Sequence, residues 1–234
     1  MRVVVIGGSS GIGKEIARQV AARAADVTIT GRDAGRLTAA GDELGGVRTA
    51  LLDAHDGAAL DAFFAGLGPV DHLVSMVGDS MSGGFLTTTP ETMRHVLHSK
   101  FWTNWLIGRH AARTLRTGGS LTFTSGTGGR AHDISGTYVA NLGIQALVQG
   151  LAYEMAPERR VNAVAPTFMG SRTAFWREVP PADLTGLETD FAKRVPLRRV
   201  ADVNEVAAAY LHLITNPFIT GHVLPVDGGV MLDK

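Results

Sequence analysis

Apolar residues in this chain gather into short unbroken runs, separated by longer segments in which they recur every three or four positions. Arg2 to Ile6 (RVVVI) is one run and Asp26 to Thr30 another. Val47 to Leu52, His72 to Val77, Ser120 to Ser125, Val161 to Ala165 and His222 to Val226 follow. Runs of this length suit strands covered on both faces. Helical spacing runs through Lys14 to Val20, Ala58 to Leu67, Pro90 to Leu115, Thr137 to Met155 and Val203 to Ile214. The alternation predicts one α/β domain over residues 1–234, a doubly wound sheet of seven parallel strands with right-handed crossovers. Thr167 to Arg199 is the only long stretch with neither period, and a substrate loop or lid is expected there.

Between the first run and the first helical segment lies Gly7-Gly8-Ser9-Ser10-Gly11-Ile12-Gly13. Glycines between a strand and a helix let the backbone turn sharply, and the free N–H groups of the helix then hold a pyrophosphate. The spacing is Gly-x3-Gly-x-Gly, and the flanking strand and helix supply the context that a glycine cluster alone lacks. The second strand ends in Gly31-Arg32-Asp33. A carboxylate there would select NAD by binding the ribose hydroxyls, whereas a guanidinium suits a 2′-phosphate. With glycine at the acidic position and Arg32 next, NADP(H) is expected; the competing reading gives the ribose to Asp33. In such sheets ligands lie beyond the carboxyl ends of the strands, so Asp53, Val77-Gly78, Ser125 and Pro166 should converge.

The 234 residues are 45% apolar with formal net charge zero, enough for one core. No basic stripe marks a nucleic-acid partner. Cysteine is absent, which excludes disulfides and leads to a cytoplasmic expectation. With the first strand starting at Arg2, no signal peptide is expected, and no apolar run is long enough to span a membrane. Lysine is scarce: Lys14, Lys100, Lys193 and Lys234. His95 and His98 stand three apart without a completing ligand, so no metal site is expected.

Ser125 and Tyr138, thirteen residues apart, add a proton-transfer pair. With the glycine loop, Leu51-Leu52-Asp53, Val161-Asn162-Ala163-Val164-Ala165-Pro166 and Ile219 to Gly229, they give a chain that resembles the short-chain dehydrogenase/reductase family throughout. The resemblance implies a Rossmann-type fold and hydride transfer between NADP(H) and a small carbonyl or alcohol substrate. It also implies a homodimer or homotetramer packed through the long helices. Cofactor contacts are implied at Gly7, Ser9, Ser10, Gly11, Ile12, Gly13, Arg32, Asp53, Ala54, Val77, Gly78, Pro166, Met169 and Ser171. Ser125 would orient the carbonyl and Tyr138 would protonate its oxygen.

Several positions depart from the family pattern. Asn-Asn-Ala-Gly becomes Ser75-Met76-Val77-Gly78, Pro-Gly becomes Pro166-Thr167, and the threonine that binds the nicotinamide amide corresponds to Ser171. The lysine four residues after the tyrosine falls on Leu142, and the helical asparagine of the tetrad falls on Lys100. A tyrosine has an ordinary pKa of about 10, and a neighbouring ammonium lowers such a value by about 1–3 units. Lys100, with its long stem, is therefore the candidate to supply the cation that Leu142 cannot. Met81, Phe85, Phe168, Met169, Phe175 and Trp176 would make an apolar substrate wall. His132 and Asp133 are expected in a surface turn at its rim. Loss of the lysine also leaves two rivals open, a redox-neutral dehydratase, isomerase or cyclase, and a nucleotide-binding protein without turnover.

Overall fold

The computed structural model describes residues 1–23, 25–169 and 180–232, with Pro181 and Ala182 described by backbone only. Seven parallel strands form one sheet in the order β3-β2-β1-β4-β5-β6-β7. They are β1 (Arg2–Ile6), β2 (Asp26–Gly31), β3 (Arg48–Leu51), β4 (Val70–Ser75), β5 (Leu115–Thr124), β6 (Arg160–Pro166) and β7 (Val223–Val226). The helices are α1 (Gly11–Ala21), α2 (Ala34–Glu43), α3 (Gly57–Leu67), α4 (Pro90–Val96), α5 (Thr103–Thr114), α6 (Ser135–Met155), α7 (Pro181–Arg194) and α8 (Val203–Thr215).

The central strands read as apolar runs because both sheet faces are covered there, whereas edge strand β3 is largely exposed. Val4 and Ile6 of β1 join Leu73, Phe123 and Ala163 under α3, α5 and α6. Val3 and Val5 join Val27, Ile29, Val74 and Val164 under α1, α2 and α8. Every side chain from Val3 to Ile6 is at most 1% exposed. Each contributes about 1.5–3 kcal/mol of burial, which fixes the strand that launches the glycine loop. The strand order reverses between β1, which pairs Ile6 with Thr30 of β2, and β4, which pairs Ser75 with Ile6. The crevice above this reversal is where a doubly wound sheet takes its ligand.

Three segments differ from the sequence-based expectation. The helical stretch from Pro90 to Leu115 is broken by a π-helical turn at Leu97–Trp102. There Thr103 Oγ1 donates to the His98 carbonyl (3.1 Å) and Asn104 Nδ2 donates to the Lys100 carbonyl (2.6 Å). Side chains that take carbonyls from the helical ladder widen the turn, and such bulges cluster at functional sites. Next, β5 begins at Leu115 rather than Ser120, with a register shift against β4 between Val70 and His72. Finally, the span expected to be irregular contains α7, which carries a proline in its first turn and Lys193 and Arg194 in its last.

Candidate functional site

The glycine loop leaves β1 and enters α1 at Gly11. A Cβ on Gly13 would collide with the Gly7 carbonyl oxygen, so only glycine closes this turn. Ser10 caps α1 without a side-chain hydrogen bond, and no acidic residue occupies the first turn. The helix N-terminus therefore keeps free N–H donors and an uncompensated dipole, the requirement for holding an anion. These residues border a cavity of about 460 Å³ that also takes in Arg32, Arg36, Ala54, His55, Gly78 and Asp79. The donors, the cavity size and the two guanidinia fit a phosphorylated dinucleotide.

Gly31, Arg32 and Asp33 divide the ribose end between them. A Cβ on Gly31 would lie 2.7 Å from Ser9 Oγ, which leaves no space for a carboxylate. Asp33 caps α2, accepting from Arg36 N–H at 2.8 Å, and its other oxygen lies 3.3 Å from the Arg36 guanidinium. Arg32 is exposed and faces the cavity, and Arg36 is a second guanidinium that spacing alone did not single out. Asp53 turns its carboxylate to the N–H of His55 (3.1 Å), so the cavity wall here is Leu52, Ala54 and His55. The His55 ring pairs with Thr103 Oγ1 at 3.1 Å, and burial holds its pKa below the usual value.

Across the reversal, the end of β4 is locked by Asn104, which is fully buried. Its Oδ1 accepts from Ser75 Oγ (2.6 Å), and its Nδ2 donates to the carbonyls of Val77 (3.0 Å) and Lys100. One carboxamide thus ties the loop after β4 to the π-helical turn, a role invisible to motif spacing. Lys100 is only 6% exposed. Its stem packs on Gly78, where a Cβ would come within 2.8 Å of Lys100 Cγ, and the glycine φ of +139° excludes other residues. Desolvation lowers the lysine pKa to about 8, with the Asp79 carboxylate acting in the opposite sense.

Ser125 follows β5 and is buried, its Oγ donating to the Asn141 carbonyl at 3.4 Å. Tyr138 is half-buried in the first turn of α6. Leu142 does not share that environment: it is 52% exposed. Asn141 lies against the Ser125–Gly126 segment instead, since a Cβ on Gly126 would sit 3.1 Å from its Nδ2. Asn141 Oδ1 is buried and has no hydrogen-bond partner. The inward face of α6 runs through Thr137, Ala140, Ile144 and Val148, and Asn141 lies at its edge.

The apolar wall is only partly assembled. Met81 is buried with its sulfur 2.7 Å from where a Gly136 Cβ would stand, and Thr137 Oγ1 bonds both Met81 N (2.8 Å) and Met81 O (3.3 Å). Phe85 is 52% exposed, so it does not form a buried wall. Phe168 packs against Phe191 of α7 with the rings tilted and their centroids 5.1 Å apart. Met169 belongs to the core with Val164, Val206 and Tyr210, a packing position rather than an open contact. Pro166 ends β6, and its carbonyl accepts from Thr127 N at 2.9 Å. Ser171, Phe175 and Trp176 lie outside the described residues. His132 is exposed beside Asp133, as a surface turn requires. Among the described residues no group of three or more His, Cys, Asp or Glu could hold a metal, and no helix is long and apolar enough to cross a membrane.

Comparison with known proteins agrees with this geometry. A family model described as enoyl-(acyl carrier protein) reductase matches residues 6–231. The 3-oxoacyl-[acyl-carrier-protein] reductase of Rattus norvegicus is 33% identical, the match covering 97% of each chain. Galactitol 2-dehydrogenase (L-tagatose-forming) of Cereibacter sphaeroides is also 33% identical, covering 96% of this chain and 92% of its own. A crystal structure of a small-chain dehydrogenase in complex with NADPH superposes with a TM-score of 0.85 at 29% identity over 99% of both chains. With the match running from the end of β1 to the last described turn, the chain belongs to the short-chain dehydrogenase/reductase family.

Proposed function

We propose that this protein is an NADPH-dependent oxidoreductase that interconverts a small carbonyl compound and its alcohol. The observation that carries the reading is a shared sheet edge. The anion cradle of α1 and the guanidinia of Arg32 and Arg36 open there, and Ser125 follows the strand end with Tyr138 and Lys100 on the flanking helices. The NADPH complex of the similar dehydrogenase supports the cofactor. The reductase and dehydrogenase names of the relatives, one acting on an acyl ketone and one on a sugar alcohol, support the reaction class without choosing the substrate.

The dinucleotide, when bound, supplies or takes up the hydride. Gly7, Ser9, Ser10, Gly11, Ile12 and Gly13 hold its phosphates. Arg32 engages the 2′-phosphate, and Ala54, Val77 and Gly78 line its path toward Ser125. Ser125 releases the Asn141 carbonyl and donates to the substrate oxygen. Tyr138 transfers its hydroxyl proton to that oxygen. Lys100, a buried ammonium held against Gly78, restores the proton to Tyr138. A positioned proton donor of this kind contributes roughly 10²–10⁴-fold.

Phe101, Trp102, Val139 and Leu142 are all exposed on adjoining surfaces of the π-helical turn and α6, where Phe101 also covers Gly143. We assign them to a contact between copies of the chain in a homodimer or homotetramer. A cytoplasmic setting suits a cysteine-free chain that depends on reduced dinucleotide.

The test is NADPH titration followed by absorbance assays against aldehydes and ketones. Saturable NADPH binding with oxidation by at least one carbonyl class is expected. Binding without oxidation, accompanied by a mass-neutral or dehydrated product, would replace this reading with a redox-neutral one.

A further inference from the structure

Lys100 is buried in the π-helical turn, with its stem against Gly78. A proton reservoir in that position needs refilling from outside at every turnover. The neighbouring loop holds suitable groups. Asp79 follows Gly78, its backbone N–H donates to Ser99 Oγ at 3.2 Å, and its Oδ2 lies 2.8 Å from His95 Nε2. Ser99 and Lys100 are consecutive in the π-helical turn, so this hydrogen bond fixes the Asp79 backbone beside Lys100. The His95 side chain is 63% exposed, whereas that of Asp79 is 36% exposed and lines the cavity. An imidazole in solvent, a carboxylate behind it and a buried lysine thus stand in sequence.

We propose that His95 and Asp79 form a proton path from solvent to Lys100. The proposal rests on the reading of Lys100 as the group that restores the Tyr138 proton. In the reducing direction the substrate oxygen takes the Tyr138 hydroxyl proton, and Tyr138 takes one from the Lys100 ammonium. The Asp79 carboxylate takes a proton from the His95 imidazolium and passes it through a bridging water to the resulting amine, and His95 takes one from bulk water. One proton enters for each hydride delivered, and every group returns to its starting state. Alcohol oxidation runs the path backwards.

The charges around the path fit this direction of flow. Asp79 is the only charged group that acts on Lys100 among the described residues. His55, across the cavity, is influenced by Asp79, Arg32, Asp53 and His98, and burial disfavours its charged form. It therefore does not compete with His95 for the Asp79 carboxylate as a cation.

Two measurements test the path on the full chain. First, His95→Gln keeps a polar side chain but cannot relay protons. In dilute buffer it should lower kcat by about tenfold or more with KM and NADPH affinity unchanged, and added imidazole should restore the rate in proportion to its concentration. Wild-type turnover by the variant in dilute buffer, or a loss that imidazole does not repair, overturns the path. Second, only four lysines need resolving in a protein labelled with 15N-lysine, and Lys100→Met identifies the Lys100 signal. Asp79→Asn should move the Lys100 titration below about pH 8; an unmoved titration contradicts the proposed link without any reference to activity. A wild-type protein that binds NADPH but does not oxidise it in the presence of any carbonyl compound would instead refute the function, an outcome separate from normal turnover without imidazole rescue.

Discussion

In the proposed site, the cofactor half, built on β1, β2 and the start of α1, offers backbone amides and exposed guanidinia. The half built on β4, the π-helical turn and α6 works through side chains held out of water. On the first side Gly7 to Gly13, Arg32 and Arg36 border an open cavity. Their charges stay solvated, and little desolvation has to be offset. On the second, Lys100, Ser125 and Asn104 are buried, and each depends on specific partners to remain there. The contrast implies that cofactor affinity should respond to substitutions one residue at a time. Chemistry should respond to any change that moves the π-helical turn relative to α6.

The sharpest challenge to this contrast is Tyr138→Phe. It removes one hydroxyl with little change in packing, and kcat should fall by roughly 10²–10⁴-fold while NADPH affinity holds. Equal losses in both would show that the two halves are not separable. Lys100→Met comes next, with a loss of about 10–100-fold in kcat if the ammonium supports proton transfer. In the unmodified enzyme carbonyl reduction should decline as pH rises through about 8, where Lys100 loses its proton. That limb should vanish from the pH–rate profile of the variant.

Arg32→Ala should weaken NADPH relative to NADH by about 10–100-fold, the equivalent of one charge-assisted contact. Arg36 should retain part of the preference, so only the double change should abolish it. Equal affinities for both cofactors in the unmodified protein would exclude the phosphate reading.

The smallest effect has the opposite sign. The folded state depresses the pKa of Lys100 from 10.5 to about 8, so between those values the unfolded chain binds the extra proton. Stability should therefore increase as pH rises through that window, by about 3 kcal/mol in total. Lys100→Met escapes the cost of burying the ammonium, so its Tm at pH 7 should exceed that of the unmodified protein by several degrees. The gap should close towards pH 10.5, and thermal melts across that range read it directly.

The same contrast decides what was legible in the sequence. Both-face burial dictates continuous apolar runs in the central strands β1, β4 and β6, so these could be read directly, and a strand–glycine–helix junction fixes its own backbone. Arg32 followed from its place at the end of β2. By contrast, Asn104 acts through contacts with Ser75, Val77 and Lys100 that no local period encodes. Helix α7 was missed because Thr167 to Arg199 shows no clear helical period, although its Pro181 is well suited to a helix start. Counting four residues from Tyr138 led to Leu142, but helix phase, set by Thr137, Ala140 and Ile144 against the sheet, turns Leu142 outward and brings Asn141 to Gly126. Spacing measures distance along a helix; which face points inward is decided by packing.

A lysine transplant tests the central claim, that the cation of this site has moved to Lys100. Lys100→Asn alone should abolish most carbonyl reduction. Adding Asn141→Lys should return an ammonium to the space beside Ser125 and recover about tenfold or more in kcat. Adding Leu142→Lys instead should recover nothing, because that side chain points outward. Rescue by Leu142→Lys and not by Asn141→Lys would contradict the account.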